Sequence, residues 1–194
     1  MAKVTAPLFS LKASGQLAKS LVYMQWKGIL DVRQYVIPAN PKTAAQQAQR
    51  SHLTSAVNLW HTGNFTPADV SAWNLYALAQ KVAASGFNMF TKFYIQAKVA
   101  NKTWTNLKNC VISNILATSA TVTIDCASDQ TGKLYIGTSK TLMLTSFDGT
   151  FNTNKYTFSL TGLTAGTTYY FYIINTKTGE GARTGIYTFT TASA

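Results

Sequence analysis

The stretch LTGLTAGTTYYFYI, residues 160–173, joins a turn signal, LTAG, to a run of aromatic and β-branched residues. A turn followed by period-two alternation is the signature of a strand with one face buried, here with Tyr170 and Tyr172 on the outer face. The same texture extends in both directions from residue 107 onward. TVTIDC at 121–126, KLYIGTS at 133–139, KYTFSL at 155–160 and GIYTFTT at 185–191 all alternate, and DQTG, FDGT and TGEG separate them. Short strands punctuated at this spacing predict two packed antiparallel sheets.

Together with ATSATVTI at 117–124 and the closing YTFTT at 187–191, the stretch resembles a fibronectin type III domain over about 85 residues. The resemblance implies an all-β fibronectin type III or immunoglobulin-like sandwich over 107–194. It also implies a corner in which the hydroxyl of Tyr169, six residues after Leu163, ties the chain back on itself. Two positions depart from the family pattern: Ile124 stands where a strand tryptophan is usual, and Ala165 where a proline is usual. The integrin-binding tripeptide of some members is absent, and no ligand site is implied.

Upstream, the texture is different. APLFSLKASG, KSLVYMQWKG and ILDVRQYVI, within residues 5–37, read as short strands divided by glycines, with Lys27-Gly28 in a turn. Val22, Met24 and Trp26 share one face, and Leu21 and Tyr23 the other; Leu30, Val32 and Val36 alternate with Asp31, Arg33 and Tyr35. VIPANPKTAAQQAQR, residues 36–50, then ends the strands. Pro38 and Pro41 cannot donate to a ladder, Asn40 precedes a proline, and Thr43 with Gln46 forms a capping-box pattern before good helix formers. Leu53, Ala56, Val57 and Trp60 make an apolar stripe. A second helix opens at Thr66-Pro67-Ala68-Asp69 with Val70, Trp73 and Ala77 inward, and a third follows Ser85-Gly86 with Phe90, Phe93, Tyr94 and Ala97 on one face. The expectation is an α+β domain over 1–103, short β-strands plus a three-helix unit, joined through NKTWTN at 101–106 to the sandwich.

Only 12% of the 194 residues are charged, about half the usual share, which suggests a surface that meets other protein. The net charge of +11 is concentrated upstream: residues 1–103 carry eleven Lys or Arg against Asp31 and Asp69, residues 104–194 six against four acids. The basic residues are dispersed rather than clustered, so a solvated basic face comes first, an acidic protein partner next and nucleic acid third. No signal-peptide run and no membrane-length apolar run is present, so the chain is expected to be soluble and made in a reducing cytoplasm. His52 and His61 lie nine residues apart on one helix and point to different sides. Cys110 and Cys126 fall on adjacent strands, where buried thiols are favoured over a disulfide. With six acids and no paired carboxylates, no catalytic couple, cofactor or metal site can be assembled, and no enzyme activity is expected.

Trp26, Lys27, Gly28, Arg33, the PANPKTAAQQAQR segment, Trp60, Trp73 and Ser85-Gly86-Phe87-Asn88 resemble a group of small tailed-phage proteins. The resemblance implies a virion-associated role without chemistry. The expected function is therefore a structural virion protein, first of all a capsid decoration, then a neck or tail accessory, present in multiple copies. It would dock on capsid, neck or tail subunits through the basic first half and display the sandwich. Residues 5–37 are the expected docking element, with Trp26 or Tyr35 as apolar anchor and Arg33 beside it. The alternatives are a nucleic-acid-binding protein using the basic half and a bacterial surface adhesion module.

Overall fold

The computed structural model describes residues 2–3, 14–26, 29–37, 39–81, 83–127 and 131–193. The chain folds as two units, Met1–Thr43 and Ala44–Ala194.

The first unit is a four-stranded antiparallel sheet of β1 (Ala2–Lys3), β2 (Gly15–Leu17), β3 (Leu21–Trp26) and β4 (Ile29–Gln34), in the order β1-β4-β3-β2. β3 and β4 pair with Val22 opposite Arg33 and Met24 opposite Asp31 on one face and Tyr23 opposite Val32 on the other, so the Val22–Met24 face of β3 meets the polar set of β4, a register the alternation does not give. Most of APLFSLKASG, the Lys27-Gly28 turn and Pro38 lie outside the described residues. β1 and β2 were not anticipated, because two or three residues are too short for a period to show. Ala18 and Lys19 connect β2 to β3 with φ of 47° and 55°, and Ser20 N–H donates to Leu17 O at 2.9 Å. That is a mirror-image hairpin turn built without the glycine or asparagine it normally favours.

The second unit opens with α1 (Ala44–Thr62), α2 (Pro67–Ala79) and α3 (Gly86–Val99). α1 starts directly after Thr43, where the capping-box pattern places its cap. Its predicted stripe is only half used: Ala56 is fully buried, Trp60 is half-buried, and Leu53 remains 46% exposed. α2 starts where expected and carries a full capping box, which the sequence reading assigns to Thr43 and Gln46 and not to this helix: Thr66 Oγ1 accepts from Asp69 N–H and Asp69 Oδ2 from Thr66 N–H. Phe90 on α3 is the centre of the helical core. The rings of Trp60, Phe65, Trp73 and Trp104 surround it with centroids 5.3–5.7 Å away, the offset and edge-on range aromatic pairs prefer.

The sandwich follows. β5 (Leu107–Ser113), β6 (Ser119–Cys126), β10 (Lys155–Thr161) and β9 (Thr150–Asn152) form one sheet in the order β5-β6-β10-β9; β12 (Tyr187–Thr190), β11 (Thr168–Asn175), β7 (Gly132–Gly137) and β8 (Thr145–Asp148) form the other in the order β12-β11-β7-β8. Alternate residues of β6, β10 and β11 point into one core of Val122, Ile124, Tyr156, Phe158, Leu160, Phe171 and Ile173. Ile124 fills its position completely. The chain passes from one sheet to the other at Gly149, where a Cβ would lie 2.6 Å from the Phe158 ring. The corner is present as the resemblance implied: Thr164 N–H donates to the Tyr169 hydroxyl at 2.9 Å, over the buried Leu163.

The boundary expected at residues 101–106 falls inside this second unit; the division in the structure comes instead between Thr43 and Ala44. The reason is that α2 has two buried sides. Trp73 and Ala77 face the helical core, while Asp69 and Ala72 are buried toward the sandwich. Residues 101–106 are themselves stitched down. Thr103 N–H donates to Gly179 O at 2.8 Å and Gly181 N–H to Thr103 O at 3.0 Å. The buried Glu180 carboxylate accepts from the Thr103 hydroxyl, from Thr105 N–H at 3.1 Å and from the Thr105 hydroxyl at 3.0 Å.

Candidate docking surface

In the first unit the sequence singles out Trp26, Arg33 and Tyr35. The structure brings two of the three together. Arg33 and Tyr35 border a hollow of about 520 Å³ with Gly15, Gln16, Val22, Gln34 and Val36. Tyr35 is placed by its own backbone, whose N–H donates to Ser20 O at 2.8 Å, and Arg33 is exposed at the rim. Trp26 pairs with Ile29 at the opposite end of β3, four residues and about 13 Å along the strand from Val22. Its side chain lies outside the described residues.

Among the described side chains of this unit only Asp31 is buried. Val36 and Ile37, which follow β4, are 69% and 76% exposed, and Leu17 and Ile29 are also exposed. The first 43 residues carry six Lys or Arg against Asp31 alone. Among its described side chains the unit thus exposes apolar groups at Leu17, Ile29, Val36 and Ile37 and cations at Lys19, Arg33 and Lys42.

In the second unit two charged groups take positions the sequence does not disclose. Asp69, in the Thr66-Pro67-Ala68-Asp69 stretch that opens α2, also binds the sandwich. Its Oδ2 accepts from Asn109 N–H at 2.9 Å, and its Oδ1 from Cys110 N–H at 3.3 Å and from the Tyr187 hydroxyl at 2.7 Å. A β-bulge between Lys108 and Val111, with Asn109 at φ 54°, turns two successive N–H groups toward the carboxylate and makes a backbone nest for it. Burial, and after it the Asp69 charge, holds the Cys110 thiol far above its usual range. Burial, then Cys110 and Asp69, does the same for the Tyr187 phenol.

Arg183 is the second. Its guanidinium carbon lies 4.4 Å from the Phe93 ring centroid, 4.8 Å from Tyr76 and 4.9 Å from Tyr172, and Tyr172 in turn stacks on Tyr135 at 5.3 Å. One cation therefore joins α2, α3 and β11. A lone arginine in a glycine-rich turn, GEGARTG, carries no period that would announce this.

His52 and His61 both sit on α1, half-buried and exposed respectively, and Cys110 and Cys126 form no disulfide. Among the described residues no group of three or more His, Cys, Asp or Glu is placed to hold a metal ion, and no helix is long and apolar enough to cross a membrane.

No protein-family model matches the sequence, and no curated protein matches it. Solved structures do. The chain is similar to a computationally redesigned β-sandwich protein, at 25% identity over 45% of this chain and 94% of that one, with a TM-score of 0.37. It is similar to the FN5 domain of Drosophila Lar, at 18% identity over 47% of this chain and all of that one, TM-score 0.37. A myokine structure is matched at 19% identity over 46% of this chain and 99% of that one, TM-score 0.39. The structural neighbours thus include β-sandwich and fibronectin type III domains, spanning about 45% of the chain, and none of the comparisons supports the resemblance of the first half to tailed-phage proteins.

Proposed function

We propose that the chain is a non-catalytic structural protein of a tailed-phage particle, a capsid decoration in the first place and a neck or tail accessory in the second, held through residues 2–43. The observation that carries this reading is the sheet of the first unit. It exposes Leu17 and Ile29, the segment after its last strand exposes Val36 and Ile37, and among the described side chains of the unit only Asp31 is buried. A sheet of short strands is marginal in water without a packed face, so a partner that covers it supplies stability as well as attachment. Strand addition along its edge gains main-chain hydrogen bonds with few demands on sequence. The phage resemblance of the first half names the assembly; the sheet supplies the means.

The test is incorporation. The full chain co-purifies with intact particles in a fixed copy number per particle, and a chain beginning at Ala44 stays in the supernatant while remaining folded by circular dichroism. Retention of the shortened chain on particles would place attachment elsewhere. The second reading, nucleic-acid binding, draws on the exposed Lys19, Arg33 and Lys42 of the same unit. It predicts binding to duplex DNA that falls steeply between about 50 and about 200 mM salt, and particle-bound protein that is released by nuclease.

A further inference from the structure

A hollow of about 300 Å³ lies beside Arg183, bounded by Tyr76 and Gln80 at the end of α2, by Tyr172 on β11, and by Lys140, Leu142 and Leu144 of the loop between β7 and β8. Its floor is cationic. Arg183 Nε donates a long bond, 3.4 Å, to Thr184 O, its side chain also hydrogen-bonds Tyr76, and the rings of Tyr76, Phe93 and Tyr172 lie against its guanidinium. Arg183 and Lys140 belong to neither of the ion pairs Lys133–Asp148 and Lys155–Asp125. Lys140 Nζ rests 5.7 Å above the Tyr170 ring. Aromatic faces offset part of the cost of withdrawing a guanidinium from water, but they leave its in-plane N–H fork without the carboxylate it is shaped for. Burial accordingly holds the Arg183 pKa below its ordinary value, opposed by Tyr76 and Tyr172.

The lip of the hollow is apolar: Leu142 is 59% exposed and Leu144 77%, in a loop that buries only Met143 between them. Two cations without a carboxylate partner, set below two exposed leucines, match an anion that arrives attached to apolar groups. A free phosphate would satisfy the first feature and ignore the second. The volume stands at the lower end of the range of about 300–1,000 Å³ typical of ligand pockets, suited to a side chain rather than to a nucleotide.

We propose that this hollow is a docking site for an acidic residue of a partner protein, its carboxylate meeting Arg183 and Lys140 and its apolar neighbours resting on Leu142 and Leu144. The inference stands apart from the particle reading, since it concerns the second unit and any partner that carries such a segment.

The experiment titrates isotopically labelled full chain with acetyl-Leu-Glu-Leu-amide, acetyl-Leu-Gln-Leu-amide and inorganic phosphate, in about 0.15 M salt. The glutamate peptide shifts the Arg183 Nε–H resonance and the Leu142 and Leu144 methyls together and saturably. The glutamine peptide binds about tenfold more weakly, the loss expected for a charge-assisted hydrogen bond. Lys140→Gln, a change at an exposed side chain, weakens the glutamate peptide about fivefold at an unchanged fold. Equal response to the two peptides, glutamate-peptide shifts that bypass Arg183, an undiminished response in Lys140→Gln, or phosphate moving the leucine methyls as the peptide does would each overturn the proposal.

Discussion

Tyr187 donates its hydroxyl hydrogen to Asp69 Oδ1 at 2.7 Å, joining the first turn of α2 to the last strand of the sandwich across 118 positions of sequence. The carboxylate that receives it also accepts three backbone N–H groups, from Thr66, Asn109 and Cys110. Asp69→Asn replaces one acceptor oxygen with a donor that faces donors. We expect a loss of about 3 kcal/mol of stability, the scale for breaking a buried charged network, read from urea denaturation, with little change in the circular dichroism of the folded state. Loss below about 0.5 kcal/mol would show that the network is ornamental to stability.

The same contact predicts how the protein responds to alkali. The Cys110 thiol and the Tyr187 phenol are both raised in the folded state, chiefly by burial. As pH rises, the unfolded chain therefore ionises these groups first, at about 8.5 for a thiol and about 10 for a phenol. The stabilisation tied to their protonated forms is complete below about pH 8.5 and is lost progressively above it. Urea midpoints should hold steady from about pH 7 to about pH 8.5 and fall beyond, and Cys110→Ala should flatten the first part of the fall. A midpoint that rises with alkali would contradict the sign.

Gly185 precedes the backbone bond from Ile186 N–H to Ala72 O, 2.9 Å long, and a Cβ on it would lie 2.3–2.5 Å from the backbone of Ala72 and Trp73. Backbone on both sides leaves no flexible side chain to yield. Gly185→Ala should cost about 3 kcal/mol and loosen α2 from the sandwich, seen as faster amide exchange at Ile186. Wild-type exchange and stability in that variant would mean the close approach is dispensable.

Trypsin offers a contrast between two exposed lysines. Lys42 stands where the two units divide, whereas Lys102 lies in the segment that Glu180 clasps through Thr103 and Thr105. Cleavage needs a locally opened backbone, so cutting should begin after Lys42 and leave Lys102 intact. Glu180→Gln should expose the second site. Early cleavage at Lys102 in the native protein would restore the boundary that the sequence suggests.

That boundary shows where the sequence stops being legible. The corner at Leu163 and Tyr169 comes from the fibronectin type III resemblance, whereas period-two alternation locates β6, β7, β10, β11 and β12, because it is a local pattern in which each residue reports its own face. Thr66 to Asp69 locates the start of α2 for the same reason. Asp69 also answers to Asn109 and Tyr187, and those partnerships depend on a bulge and on a late strand that no local pattern records. Composition changes at residue 104, but the packing does not divide there, since Ala72 belongs to one core and Trp73, its neighbour, to the other. In the first unit, alternation sets Arg33 and Tyr35 in one series but does not announce the hollow they border, nor that Trp26 lies at the far end of β3 from it.

The bond from Ile186 to Ala72 has a consequence for synthesis. A ribosome adding about 5–20 residues per second needs roughly 6–23 s to travel from the α2 turn that holds Ala72 to the strand that answers it. Throughout that interval α2 lacks the last of its sandwich partners, Ile186 for the Ala72 carbonyl and Tyr187 for the Asp69 carboxylate. Chaperone demand during production should consequently peak before the final strand emerges, and a chain that stalls upstream of Gly185 should be degraded rather than stored.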